Sequence, residues 1–262
     1  MRSASGKNFI YEKNQLIEVI CQLRFPPILS IETDIPAQFQ DTVRTAFPRY
    51  TCITENLPVP SGSAPQTQKN HTFVSEDGAS KLSLTKNFIA LSTMRYTSWE
   101  DFARMLDEPL GQFIRIYRPA FFERVGLRYV NGISRQKLEL QHCRWNDLFQ
   151  PQYLGLLDDD GIEEASVSKC ALDVELKKDD QCSLKLHAGP GSIRRTIKTP
   201  NGLQTIQEPE TRFLFDQDLF CAGNIKLPAV MDTLAALHEH ADRTFSDAIT
   251  DTLHEAMEPV EL

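Results

Sequence analysis

The chain has 262 residues, 41% hydrophobic and 24% charged, which excludes disorder as the main state and allows one large domain or two small ones. No apolar run approaches the roughly 20 residues needed to cross a bilayer, so a soluble, cytoplasmic protein is expected. The net charge of −8 is concentrated: residues 213–262 hold ten acidic side chains against Lys226 and Arg243, and the rest balances, which disfavours general DNA binding.

The N-terminal stretch MRSASGKNFIYEKNQ has no apolar segment of signal-peptide length. Residues 15–25 then alternate as a strand, with Ile17, Val19, Cys21, Leu23 and Phe25 on the apolar face, and Pro26–Pro27 ending it. Asp34 before Ile35–Pro36 reads as a helix start, with Phe39, Val43 and Phe47 at helical spacing and Pro48 as the stop. Residues 56–70 are rich in Pro, Ser and Gln and read as a loop. Two strands follow around Asp77–Gly78, the second with a turn at Lys86–Asn87.

Ser98 with Asp101 three residues on is a helix-capping signature. The helix carries Trp99, Phe102, Met105 and Leu106, and Pro109 is expected to kink or interrupt it before Phe113 and Tyr117. The strand FERVGLRYVNGI (122–133) places Val125, Leu127 and Tyr129 on one face and Gly126, Arg128 and Val130 on the other. Residues 1–133 therefore read β-α-β-β-α-β, a ferredoxin-like order.

Residues 134–262 form a second half, tightly packed on the first because no flexible linker separates them. WNDLFQPQYLGLL is short and helical or irregular, and LDDDGIEE is an acidic turn. One hairpin is expected around Lys178–Asp179–Asp180 and another around Asn201–Gly202. TRFLFDQDLFC is a strand. A helix from Leu227–Pro228 to about Met257 carries the stripe Val230, Leu234, Leu237, Ala241, Phe245, Ile249 and Leu253, and would span roughly 45 Å. The fold class is α+β, with antiparallel sheets and packed helices.

No P-loop, GxGxxG, GxSxG or HExxH motif is present, and no cofactor or metal is expected. HAGPGS (187–192) reads as a turn between strands. His238 and His240 are two apart on a helix, diverge by about 200°, and read as surface residues rather than a metal pair. The six cysteines form no CxxC pair and read as reduced, buried thiols.

Two groups of residues carry the functional expectations. Arg24 and Arg128, with Asn131, are candidates for an anion, nucleotide or RNA site, since arginine suits bidentate recognition. The competing reading is an ion pair with carboxylates across the sheet or in the second half. Tyr129 points away from Arg128, which weakens base stacking beside it. Asp232, Glu239, Asp242, Asp247 and Asp251 on the acidic helix are candidates for binding a protein partner or a second copy of the chain.

Three stretches together carry a resemblance: LIEVICQLRFPPI (16–28), RVGLRYVNGI (124–133) and LHEHADRTFSDAITDTL (237–253). They resemble a sporadically distributed bacterial family of proteins of about this length. Its members share an Arg-Phe-Pro strand end, a Gly-Leu-Arg-Tyr-hydrophobic-Asn strand and a Phe-x-x-x-Ile-Thr helix. Gly132 departs from the pattern, standing where a larger or charged residue is expected. The resemblance brings no chemical motif. It implies mobile or defence-linked genes, and with them a component of a bacterial defence or toxin–antitoxin-like system. A non-enzymatic interaction protein is the leading expectation, the arginine-face binding module the second, and an enzyme of unfamiliar type the third.

Overall fold

The computed structural model describes residues 9–57, 66–178, 181–199 and 202–261. In chain order the elements begin with β1 (Phe9–Tyr11), β2 (Leu16–Arg24), α1 (Leu29–Thr33) and α2 (Ala37–Val43). Four strands follow: β3 (Arg49–Leu57), β4 (Gln66–Val74), β5 (Ser80–Leu84) and β6 (Phe88–Thr93). Then come α3 (Trp99–Tyr117) and β7 (Phe122–Ile133). After short 3-10 turns over residues 145–166 the chain enters β8 (Leu172–Lys177), β9 (Cys182–Thr199) and β10 (Gly202–Ile225). It ends with α4 (Val230–Ala248), α5 (Asp251–Ala256) and β11 (Pro259–Glu261).

Nine strands form one antiparallel sheet in the order β3-β4-β5-β6-β2-β7-β10-β9-β8. The expected four-strand ferredoxin-like frame is replaced by six strands in the first half, with β2 and β7 direct neighbours that set Ile20 against Arg128. The sheet runs on across residue 133, because β7 pairs with β10 from Phe213↔Ile133 to Ile225↔Phe122. β1 and β11 pair separately and tie the two ends of the described chain together.

Alternation assigns the two sheet faces. Val125, Leu127 and Tyr129 on β7, and Phe213, Phe215, Gln217 and Leu219 on β10, are all buried on the helix-covered face. Arg124, Arg128, Asp216 and Asp218 occupy the opposite face. On the covered face Phe39 of α2, Phe102, Leu106 and Phe113 of α3, and Leu234 and Leu237 of α4 join one continuous core. A fully buried side chain of this size contributes about 1.5–3 kcal/mol relative to exposure.

Ser98 caps α3, its hydroxyl oxygen accepting from Asp101 N at 3.1 Å. Pro109 does not interrupt α3; its ring is buried with Leu106, Leu110 and Phe113, so packing on that face offsets the missing backbone donor. The final helix is two helices. Ile249 is extended and bridges Phe149, Thr250 N donates to Leu148 O, and the Thr250 hydroxyl caps α5 at Leu253 N. Tertiary pairing thus stops α4 after 19 residues, about 28 Å.

Other expectations shift in the same way. Asn56–Leu57 and residues 66–70 belong to β3 and β4 rather than to a loop. HAGPGS lies inside β9, paired with β10, and is not a turn. Gly189 within it has φ +157°, and a Cβ there would sit 2.4 Å from the Cys170 carbonyl oxygen, so the strand needs glycine to pass that chain. Cys182 and Cys221 are not free thiols: the β9–β10 register sets them opposite each other and they form a disulfide, Cα–Cα 4.0 Å. Their 39-residue separation in sequence hides that pairing. Asp179–Asp180 and Asn201, at the expected turns, lie outside the described residues. Among the described residues no helix is long and apolar enough to cross a membrane.

Candidate functional site

Of the two readings open for Arg24 and Arg128, an ion pair or a ligand site, Arg128 makes the ion pair across the sheet. Arg128 Nε donates to Asp216 Oδ1 at 2.7 Å, and its NH2 binds the other oxygen. That hydrogen bond, together with the Asp216 charge, pushes its pKa above the ordinary arginine value, against the opposing effect of burial. Arg124 makes the same fork to Asp218, 2.7 and 2.8 Å, and lies over the Phe220 ring. Arg24 is exposed at the end of β2, opposite Arg124, and donates to Gln22. Asn131 sits on the other face of β7, 6% exposed, with its amide directed to Phe215 O. Arg24, Arg128 and Asn131 are therefore not brought together.

The acidic helix divides likewise. Asp232, Glu239, Asp242, Asp247 and Asp251 are all exposed, and they differ in where they face. Asp242 is turned toward a cleft, and so is His238, which the sequence placed on the surface.

This cleft encloses about 110 Å³ between β1, the start of α3, α4 and the covered face of β7 and β10. Its floor is Tyr129, Asn131 and Gln217; one wall is Tyr96, Trp99 and Glu100; the other is His238 and Asp242. Local structure explains each placement. Strand period two turns Tyr129, Asn131 and Gln217 to one side. The capped start of α3 fixes Trp99 and Glu100. His238 and Asp242 are four apart on α4 and share a face with Leu234 and Ala241. At the rim, the Tyr11 hydroxyl meets His254 Nδ1 at 2.9 Å, and Lys13 pairs with Glu258 at 2.8 Å, which hold the β1 strap against α5.

His238 is the hub. Its Nδ1 lies 2.9 Å from the Tyr129 hydroxyl, and its Nε2 lies 3.3 Å from Asp242 Oδ2. Trp99 stacks on the ring, centroids 4.9 Å apart at 15°, and Tyr96 meets Tyr129 edge-on at 5.7 Å. Burial holds the imidazole down at about 4, against the opposing pull of Glu100 and Glu239. Burial, then the Glu100 carboxylate, pushes the Asp242 carboxyl up to about 7. Its side chain is 48% exposed, so water screens that push and its direction carries the argument. Burial also raises both Tyr96 and Tyr129. The resting cleft thus favours neutral forms of the histidine and the phenols and makes the Asp242 carboxyl harder to ionise.

The sign of the pH dependence follows. Raised Asp242 makes the folded chain hold an extra proton between about pH 4 and 7, so its contribution to stability falls as pH rises through that window. Lowered His238 makes the unfolded chain hold the extra proton between about pH 4 and 6.5, so its contribution rises with pH. The two slopes oppose each other in the native protein. Urea unfolding between pH 5 and 6.5 should show stability rising with pH in Asp242→Asn and falling in His238→Gln, each relative to the parent. The Asp242 slope is the shallower because of its exposure.

Among the described residues no group of His, Cys, Asp and Glu is arranged to hold a metal ion. No family model matches the chain, and no curated protein matches it in sequence.

Proposed function

We propose that the protein binds a small molecule in the cleft formed by α3, α4, β7 and β10. One observation carries the reading. Gln217 is 1% exposed and lines the cleft, yet its Oε1 has no hydrogen-bond partner among the described residues. A buried amide oxygen left unpaired costs about 1–3 kcal/mol, a cost that a ligand donor would offset. The surroundings support it: a concave site, mainly aromatic walls and a few convergent polar groups are the ordinary composition of a ligand pocket.

Gln217→Leu tests this. The leucine conserves apolar volume and removes the unpaired oxygen, so it should raise unfolding stability by about 1–2 kcal/mol. The same change should abolish small-molecule shifts of the Trp99 indole signal in a fragment screen by NMR. A variant no more stable than the parent would mean that Gln217 is an ordinary core residue, and a parent protein whose Trp99 signal no fragment shifts would mean that the cleft reading is wrong.

A further inference from the structure

We propose that the cleft selects a small organic cation, an ammonium or guanidinium head on a short apolar stem. The inference rests on the cleft being a small-molecule site and names the class it takes. Glu100 and Asp242 face the space from two different helices, and among the described residues the lining contains no Lys or Arg. Tyr96 and Trp99 present half-buried aromatic surface beside those carboxylates. Aromatic faces attract cations through the ring quadrupole, most strongly where water is excluded. The unpartnered Gln217 Oε1 is an acceptor and so calls for an N–H or O–H donor. Three independent features, carboxylates, ring faces and a lone acceptor, ask for the same chemistry.

The first turn of α3 is the competing effect. Helix N-termini favour anions through their free N–H groups. Here that end is already answered. The Ser98 hydroxyl accepts from Asp101 N, and Glu100 and Asp101 supply negative charge within the first turn. The balance therefore goes to a positive ligand.

A cation entering the cleft stabilises ionised Asp242. The groups that bear on Asp242 are His238 on its own helix, Glu100 from α3, and the Tyr96 and Tyr129 phenols from the preceding loop and β7. Of these only the imidazole could add positive charge, and burial keeps it neutral above about pH 4. Affinity for a cation should therefore rise with pH through the region where Asp242 loses its proton, near 7.

The test uses n-butylammonium, with n-butanol as its neutral isostere and butyrate as the anion. The chain has two tryptophans, so the Trp99 indole reports the cleft while the buried Trp145 indole confirms the fold in every variant. Butylammonium should shift Trp99 saturably and bind at least tenfold tighter than butanol, with butyrate silent. A Glu100→Gln, Asp242→Asn double variant that keeps its Trp145 signal should lose at least tenfold in butylammonium affinity. Equal binding of butanol, binding of butyrate, or an unaffected double variant overturns the cation assignment while leaving a small-molecule site. Silence from all three probes overturns both.

Discussion

Phe213→Ala is expected to lower unfolding stability by about 3–5 kcal/mol, read from urea denaturation. Phe213 is fully buried. Its ring stacks on Phe149 at 4.0 Å and 24°, and meets Trp145 at 5.4 Å. Those two partners come from the stretch of 3-10 turns between β7 and β8. Among the described residues that stretch joins no strand ladder; beside the isolated bridge Phe149↔Ile249, a few hydrogen bonds such as Gln150 N to Ala248 O tie it to the C-terminal segment. Ring packing on the sheet therefore carries much of its attachment. The cavity left by alanine should also release the stretch locally, seen as faster hydrogen exchange at the Trp145 indole. A loss below about 1 kcal/mol would show that the turns are held by something other than this aromatic cluster.

Arg212→Ala should cost a similar amount, about 3–5 kcal/mol, for an electrostatic reason. The Arg212 side chain is 7% exposed and reaches Glu208 Oε2 at 2.6 Å. Its Nε lies 3.7 Å from Glu210 Oε2, beyond hydrogen-bond range, and is itself without a partner. Glu210 also accepts from the Ser134 hydroxyl at 2.7 Å and from Gln136 N at 2.9 Å, which joins the end of β7 to the irregularity in β10 between Gln207 and Thr211. Removing the guanidinium takes a buried positive charge away from two carboxylates that are each 20% exposed. A triple variant, Arg212→Met with Glu208→Gln and Glu210→Gln, should recover most of the loss. Failure of that recovery would move the effect from charge to side-chain packing.

Local periodicity made several elements legible. The alternation in residues 15–25 and 122–133 marks β2 and β7, and Ser98 with Asp101 marks the start of α3, because strand period and helix capping are local properties. Long-range pairing is not local. Nothing between residues 16 and 225 states that β2 lies beside β7 and β7 beside β10, so a six-strand half joined to a shared sheet reads as a four-strand ferredoxin-like half with a second half packed on it. The break at Ile249 shows the same limit. Thr250 followed by Asp251 is a capping signal, but the stripe of apolar residues continues through Ile249 and Leu253, and the interruption comes from the bridge to Phe149.

The cleft left traces that composition alone hides. Tyr129 and Asn131 fall on the apolar side of β7, where a hydroxyl and an amide need partners. His238 follows Leu234 by four and precedes Ala241 by three, so it belongs to the buried stripe and not to the solvent face. The histidine pair was correctly read as divergent, and that divergence is what turns His238 inward. Tyr96, Glu100 and Gln217 carry no local signal, because their proximity is created by the sheet order. Arg128 draws attention as a charge within a strand, and its carboxylate partner Asp216 lies 88 positions away.

The order of strands has a further consequence for how the chain is made. β7 occupies the middle of the sheet, with β2 on one edge and β10 on the other. As synthesis proceeds from the N-terminus, β2 through β7 can pair as soon as residue 133 is available, but the far edge of β7 stays bare until residues 202–225 arrive. During that interval a twelve-residue strand presents unpaired backbone groups and the apolar side chains of Val125, Leu127 and Tyr129. High contact order of this kind slows folding toward milliseconds to seconds and exposes the intermediate to self-association. Truncation between β7 and β10 should therefore yield not a smaller stable domain but an aggregating one.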